Sequence, residues 1–95
     1  MRLKAVIPHH QHYQKAIIYA LSSSDVYLFL YDTLEDASCR ADFWFESVTD
    51  AQIEAEERVS VSPAAWKNIP DPLPGALHDW EQPTQALQGL LRAYM

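Results

Sequence analysis

Three histidines near the start of the chain are the first residues whose types and spacing suggest chemistry. His9, His10 and His12 lie close together, and an early helix would place His9 and His12 on one face. A zinc site needs at least three protein ligands, and only distant residues could complete one here: Cys39, His78 and Asp79. The spacing alone does not specify a metal, so we predict no cofactor. A metal- or small-ligand-binding domain using His9, His12 and His78 stays open as an alternative.

The single cysteine, Cys39, does not define a catalytic site. In the alternating pattern of a strand it shares a face with Ala41, Phe43 and Phe45, where a small buried thiol is expected. The chain has only two glycines, and they are isolated, which excludes the glycine-rich loops that bind phosphate groups. Because no nucleophile–base or metal–water set can be assembled, an enzyme is the least favoured class.

Acidic residues outnumber basic ones and are unevenly distributed. Thirteen acids and seven bases give a formal charge of −6, which argues against nucleic-acid partners and anionic membrane surfaces. Residues 32–57 contain nine acids and one base, Arg40, whereas residues 1–24 contain three bases and no acid. This asymmetry predicts either a solvated acidic face or a docking face for a basic partner.

The length of 95 residues predicts one small domain spanning 1–95. The apolar start is interrupted by Pro8, so it does not resemble a signal peptide, and no stretch is apolar enough for a membrane helix. With one cysteine and no targeting segment, a cytoplasmic location is expected. The acid-free composition of residues 1–24 allows them to be a loosely attached N-terminal extension.

A β-hairpin is the best-supported element of the chain. Residues 26–31 and 39–46 are rich in β-branched and aromatic side chains, and a polar acidic segment separates them. Alternation predicts one core face and an opposite face that mixes aromatic and charged side chains: Tyr27, Phe29, Tyr31, Arg40, Asp42 and Trp44.

Helices are predicted on either side of this hairpin. The spacing of apolar residues favours a helix over 13–21, with a strand as competitor. Thr49 as N-cap, with Gln52 completing a capping box, predicts a helix over 50–59. A last helix is predicted over 83–94, after an extended proline-rich segment at 69–75. The fold class is therefore α+β: a small antiparallel sheet built on the hairpin, with two or three helices packed on it.

The sequence favours a small protein-binding module that presents an acidic surface to a basic partner. An inhibitor or immunity protein for a nuclease-like toxin is one concrete form of this hypothesis. A structural homodimer that buries its aromatic sheet face is another class of function. The alternative to an open aromatic face is that the proline-rich segment or the last helix covers it and makes it a second small core. The predicted partner-binding residues are Glu35, Asp36, Asp42, Trp44, Glu54 and Glu57.

Overall fold

Five strands form one antiparallel sheet in this computed structural model, which describes residues 1–81. The elements are β1 (Arg2–Val6), β2 (Lys15–Ser22), β3 (Asp25–Tyr31), β4 (Ala41–Phe45), α1 (Val48–Val59), a 3₁₀ turn (Pro63–Ala65) and β5 (Lys67–Ile69). The strand order is β4-β3-β2-β1-β5. This architecture confirms the α+β class with a small antiparallel sheet.

The predicted hairpin is confirmed as the antiparallel pair β3 and β4. The face that we call the helix face carries Val26 and Leu28 from β3, and α1 packs on it. The opposite face, the strap face, carries Tyr27, Phe29 and Tyr31, as alternation predicted. The prediction that Cys39 shares a face with Ala41, Phe43 and Phe45 is wrong. β4 begins only at Ala41, and Cys39 packs with the strap-face cluster instead.

Residues 15–22 form a strand where the apolar spacing favoured a helix, so the helix over 13–21 is wrong. β2 is an inner strand that pairs with β1 on one side and β3 on the other. Its first four residues are buried, and side chains of both faces are among them. The apolar run that follows Lys15 therefore lacks the alternation of a half-exposed strand. Residues 1–24 therefore contribute two adjacent strands of the sheet, β1 and β2.

Helix α1 confirms the predicted helix but begins two residues earlier. Ser47, not Thr49, is the N-cap, since its side chain accepts a hydrogen bond from the Asp50 N–H at 3.0 Å. The stripe of Ala51, Ala55 and Val59 is buried against the sheet. Among residues 1–81 this is the one α-helix, so two or three helices are not confirmed; the helix predicted over 83–94 lies outside the described residues.

Changing Ser47→Ala should lower the free energy of unfolding by about 1 kcal/mol, because the first turn of α1 loses its side-chain cap. Thr49→Ala is the matched control, since Thr49 is exposed within the first turn and should change stability by less than about 0.5 kcal/mol. Urea unfolding of both variants measures the difference. Equal losses, or a larger loss at Thr49, would contradict the assignment of the N-cap.

Residues 70–81, which we call the strap, follow β5 and run back over the strap face. The segment is extended up to a turn at Pro74 and Gly75, as the sequence predicted. In this turn the Ala76 N–H donates to the Leu73 carbonyl at 2.9 Å, and Gly75 has a φ of 81°. That geometry fits a type II turn, where proline followed by glycine is favoured.

Candidate functional site

Arg2 joins the strap to the sheet. Its side chain is fully buried on the strap face, and its Nε donates to the Pro70 carbonyl at 2.8 Å. The two terminal nitrogens donate to three further strap carbonyls, those of His78, Trp80 and Glu81. One guanidinium thus satisfies four main-chain acceptors, which a planar group with five N–H donors is suited to do.

Glu81 binds two lysines beneath the strap. Its carboxylate contacts Lys4 Nζ and lies 3.1 Å from Lys15 Nζ. Lys15 is fully buried, donates also to the Glu35 carbonyl at 2.8 Å, and lies over the Tyr31 ring. Burial alone would raise the pKa of Glu81, but the hydrogen bonds and charges of both lysines outweigh it and lower that pKa.

Three further hydrogen bonds hold the strap at its C-terminal end. The Tyr31 hydroxyl donates to the Asp79 carbonyl, and the Asp79 carboxylate accepts the Cys39 N–H at 2.8 Å. The Asp36 carboxylate accepts the Glu81 N–H at 2.7 Å. Burial of Tyr31, followed by the charge of Asp79, raises the pKa of its hydroxyl, which therefore stays protonated as a donor.

Burial of cations makes the surface more acidic than the net charge indicates. The three bases of residues 1–24 lie under or beside the strap: Arg2, Lys4 and Lys15. Of the exposed bases in residues 1–81, Arg40 and Arg58 each pair with a carboxylate, and Lys67 is the remaining one. The exposed acids are Asp32, Glu35, Asp42, Glu46, Asp50, Glu56, Glu57 and Asp71.

The predicted partner-binding residues lie on two different surfaces. Asp42 and Trp44 are exposed on β4, on the strap face. The Trp44 side chain is 53% exposed and its indole N–H donates to the Asp25 carboxylate at 2.7 Å, which fixes the ring. Glu54 and Glu57 lie on α1, on the other side of the sheet. The structure therefore does not bring these four residues together.

The remaining two predicted residues lie in the β3–β4 loop and differ in role. Glu35 is exposed, and Lys15 Nζ donates to its main-chain carbonyl rather than to its carboxylate. Asp36 is half-buried and holds the Glu81 N–H, so part of its role is structural. On α1, Glu54 is likewise engaged, because Arg58 donates to its carboxylate at 3.0 and 2.6 Å.

A groove of about 450 Å³ lies between the strap and the sheet. Tyr27 and Phe29 form part of its aromatic lining, and Asp42 and Asp79 supply its carboxylates; Leu77 and His78 also line it. Cys39 faces the same groove. Burial, together with the charge and hydrogen bond of Asp79, raises the pKa of the Cys39 thiol to about 12, so the groove holds a protonated thiol and not a nucleophilic thiolate.

Three residues that build this site are not predicted from the sequence: Arg2, Lys15 and Glu81. Arg2 and Lys15 enter the sequence prediction only as charges of an N-terminal extension, and no motif marks Glu81. For Lys15 the sequence does contain a signal of burial, since this lysine begins an otherwise apolar run that would be buried in a strand. For Arg2 no comparable signal exists, because its four carbonyl partners belong to residues about seventy to eighty positions away along the chain.

His9, His10 and His12 lie in the loop between β1 and β2. His10 Nδ1 accepts the N–H groups of His12 and Tyr13 at 3.1 Å each and orders the β1–β2 loop. No group of three or more metal-ligating side chains occurs in this part of the chain, so His9, His12 and His78 do not come together there. Within residues 1–81, α-helical structure is too short and too polar for a membrane span.

Comparisons of the chain with protein-family models, curated proteins and solved structures find no significant match.

Proposed function

We propose that this chain is a small cytoplasmic protein-binding module whose acidic surface docks a basic protein. The burial of Arg2 and Lys15, together with the pairing of Lys4 to Glu81, carries this proposal, because it leaves a surface dominated by carboxylates. A surface with a large excess of one sign steers an oppositely charged partner and raises its association rate. An inhibitor or immunity protein that covers the basic substrate site of a nuclease-like toxin is one form of this function.

Exposed apolar side chains beside the acids supply anchors for such a complex. Trp44 stands next to Asp42 on β4, and Ile53 is 51% exposed among the acids of α1. Apolar anchors surrounded by polar side chains are typical of interface hot spots. The strap covers Ile17 and Tyr31 on the sheet face, which leaves less aromatic surface for a homodimer and favours the basic partner.

The test is affinity capture from the native host's lysate with the full chain as bait, read by mass spectrometry at two salt concentrations. An acid-poor variant neutralises four exposed acids on both surfaces: Glu35→Gln, Asp42→Asn, Glu46→Gln and Glu57→Gln. We expect the wild type to retain a basic protein. The acid-poor variant should retain at least about tenfold less, and higher salt should weaken capture by the wild type.

A neutral variant with the same number of exposed substitutions controls for general surface damage. It carries Gln11→Ala, Ser23→Ala, Thr49→Ala and Asn68→Ala, all at exposed positions and none changing charge. This variant should capture the same protein as the wild type. An empty capture by the wild type, or equal retention by all three baits, would leave the acids as a solubility surface and contradict the proposal.

A further inference from the structure

We infer that the groove between the strap and the sheet receives an arginine side chain of the basic partner. This inference rests on the proposed function and assigns its docking surface to the strap face, with the acids of α1 outside the contact. The occupant follows from the lining, which combines aromatic rings with carboxylates. No lysine or arginine of residues 1–81 lines the groove.

The aromatic lining suits a flat cationic group. The rings of Tyr27 and Phe29 lie on the same face of β3 with their planes 7° apart and their centroids 6.0 Å apart. Both rings line the groove, whose volume of about 450 Å³ lies within the range of small-ligand sites. A cation over the face of an aromatic ring is attracted by the ring's electron density. A planar guanidinium can therefore pack against these rings.

The register of β3 and β4 places a carboxylate beside this lining. Asp42 lies directly opposite Phe29 in the antiparallel pair, and such cross-strand neighbours on one face have Cβ atoms about 4.5–5.5 Å apart. Asp42 is exposed, so its oxygens can receive an incoming donor. Phe29 is only 7% exposed, so the guanidinium packs mainly on the half-buried Tyr27, the diagonal neighbour of Asp42 across the two strands. From there it would reach the Asp42 carboxylate in the two-pronged arrangement that arginine forms with carboxylates.

A second carboxylate adds to the negative field of the groove. Asp79 lines it from the strap and is held in place by the Cys39 N–H at 2.8 Å. The raised pKa of the Cys39 thiol reflects burial first and the negative field of Asp79 second. A field that disfavours a thiolate favours a cation, which agrees with the charge of the proposed occupant. Arginine is preferred to lysine because its planar group can use rings and carboxylate together.

The test is an NMR titration of the full ¹⁵N-labelled chain with three capped tripeptides. Acetyl-Gly-Arg-Gly-amide is the probe. The corresponding lysine peptide keeps the positive charge but lacks the planar guanidinium, and the citrulline peptide keeps the planar shape but lacks the charge. We expect saturable shifts at Tyr27, Phe29 and Asp42 with the arginine peptide. Binding of the lysine peptide should be at least about threefold weaker, and the citrulline peptide should give no saturable shifts.

Variants locate the binding within the chain. Asp42→Asn and Tyr27→Leu should each weaken arginine-peptide binding by about two- to fivefold. Glu57→Gln, which removes the same charge from α1 on the other side of the sheet, should leave it unchanged. Equal binding of the arginine and citrulline peptides, or shifts centred on α1, would overturn the inference.

The capture experiment separates this inference from the proposed function. If the wild type retains a basic protein and Asp42→Asn retains it equally, the function stands and the groove is not its arginine site. If the arginine peptide binds the groove as expected but no basic protein is captured, the groove assignment stands and the proposed function fails.

Discussion

Replacing Arg2 with methionine is expected to lower the free energy of unfolding by about 3–5 kcal/mol, on the order of 1 kcal/mol for each of four hydrogen bonds. The substitution keeps an unbranched apolar stem but removes all four hydrogen bonds to the strap carbonyls. Those carbonyls would lose their donor in a partly buried environment, where each unsatisfied acceptor costs stability. The melting temperature should fall by at least about 12 °C, given about 4 °C or more per kcal/mol for a domain of this size. Thermal and urea unfolding measure both quantities.

Lys67→Met is the matched control for this substitution. It also removes one cation from a strand of the sheet, but Lys67 is exposed on β5. We therefore expect the free energy of unfolding to change by less than about 0.5 kcal/mol. Arg2→Lys should give an intermediate loss, since an ammonium has three donors and cannot span the same acceptors. If Arg2→Met cost no more than Lys67→Met, the guanidinium would not be the link that holds the strap.

Changing Glu81→Gln should lower the free energy of unfolding at pH 7 by about 2–3 kcal/mol, since it leaves the buried Lys15 and its neighbour Lys4 without their carboxylate. The pKa of Glu81 in the folded chain is lowered from the ordinary value of 4.5. A depressed carboxyl pKa contributes stability above the unfolded pKa and loses it as the pH falls through the folded pKa. The wild type should therefore lose this stability below about pH 4.5, whereas Glu81→Gln should lack this part of the acid dependence.

Urea unfolding between pH 7 and pH 2.5 tests this expectation, with Glu56→Gln as control. Glu56 is exposed on α1, so its removal should preserve both the stability at pH 7 and the acid-dependent loss of the wild type. An acid dependence of Glu81→Gln that matches the wild type would show that the two lysines do not depend on this carboxylate.

The strap links stability to the proposed docking surface. It supplies one wall of the groove through Leu77 and His78 and one of the two carboxylates through Asp79. The same segment is anchored by Arg2 and Glu81, which lie away from the groove lining. Variants that weaken these anchors should therefore weaken arginine binding in parallel with stability, whereas Asp42→Asn should affect binding alone.

The sequence by itself determined the elements whose signals are local. The hairpin of β3 and β4 follows from two β-rich runs with a polar separation, and the buried stripe of α1 follows from helical spacing. The Pro74–Gly75 turn follows from the φ values that these two residues favour. The acidic excess was likewise evident from the count of charges. In each case the physical cause acts between residues that are close along the chain.

Only the tertiary structure decided which charged side chains are buried and on which face of the sheet each residue lies. β2 resembled a helix because a strand buried on both faces loses its alternation, and Cys39 changed face because β4 begins only at Ala41. The partners of Arg2 and Lys15 lie up to about eighty residues away, and no local pattern specifies such contacts. Burial of these cations, and the division of the acids between two sides of the sheet, therefore emerged only once distant segments had packed together.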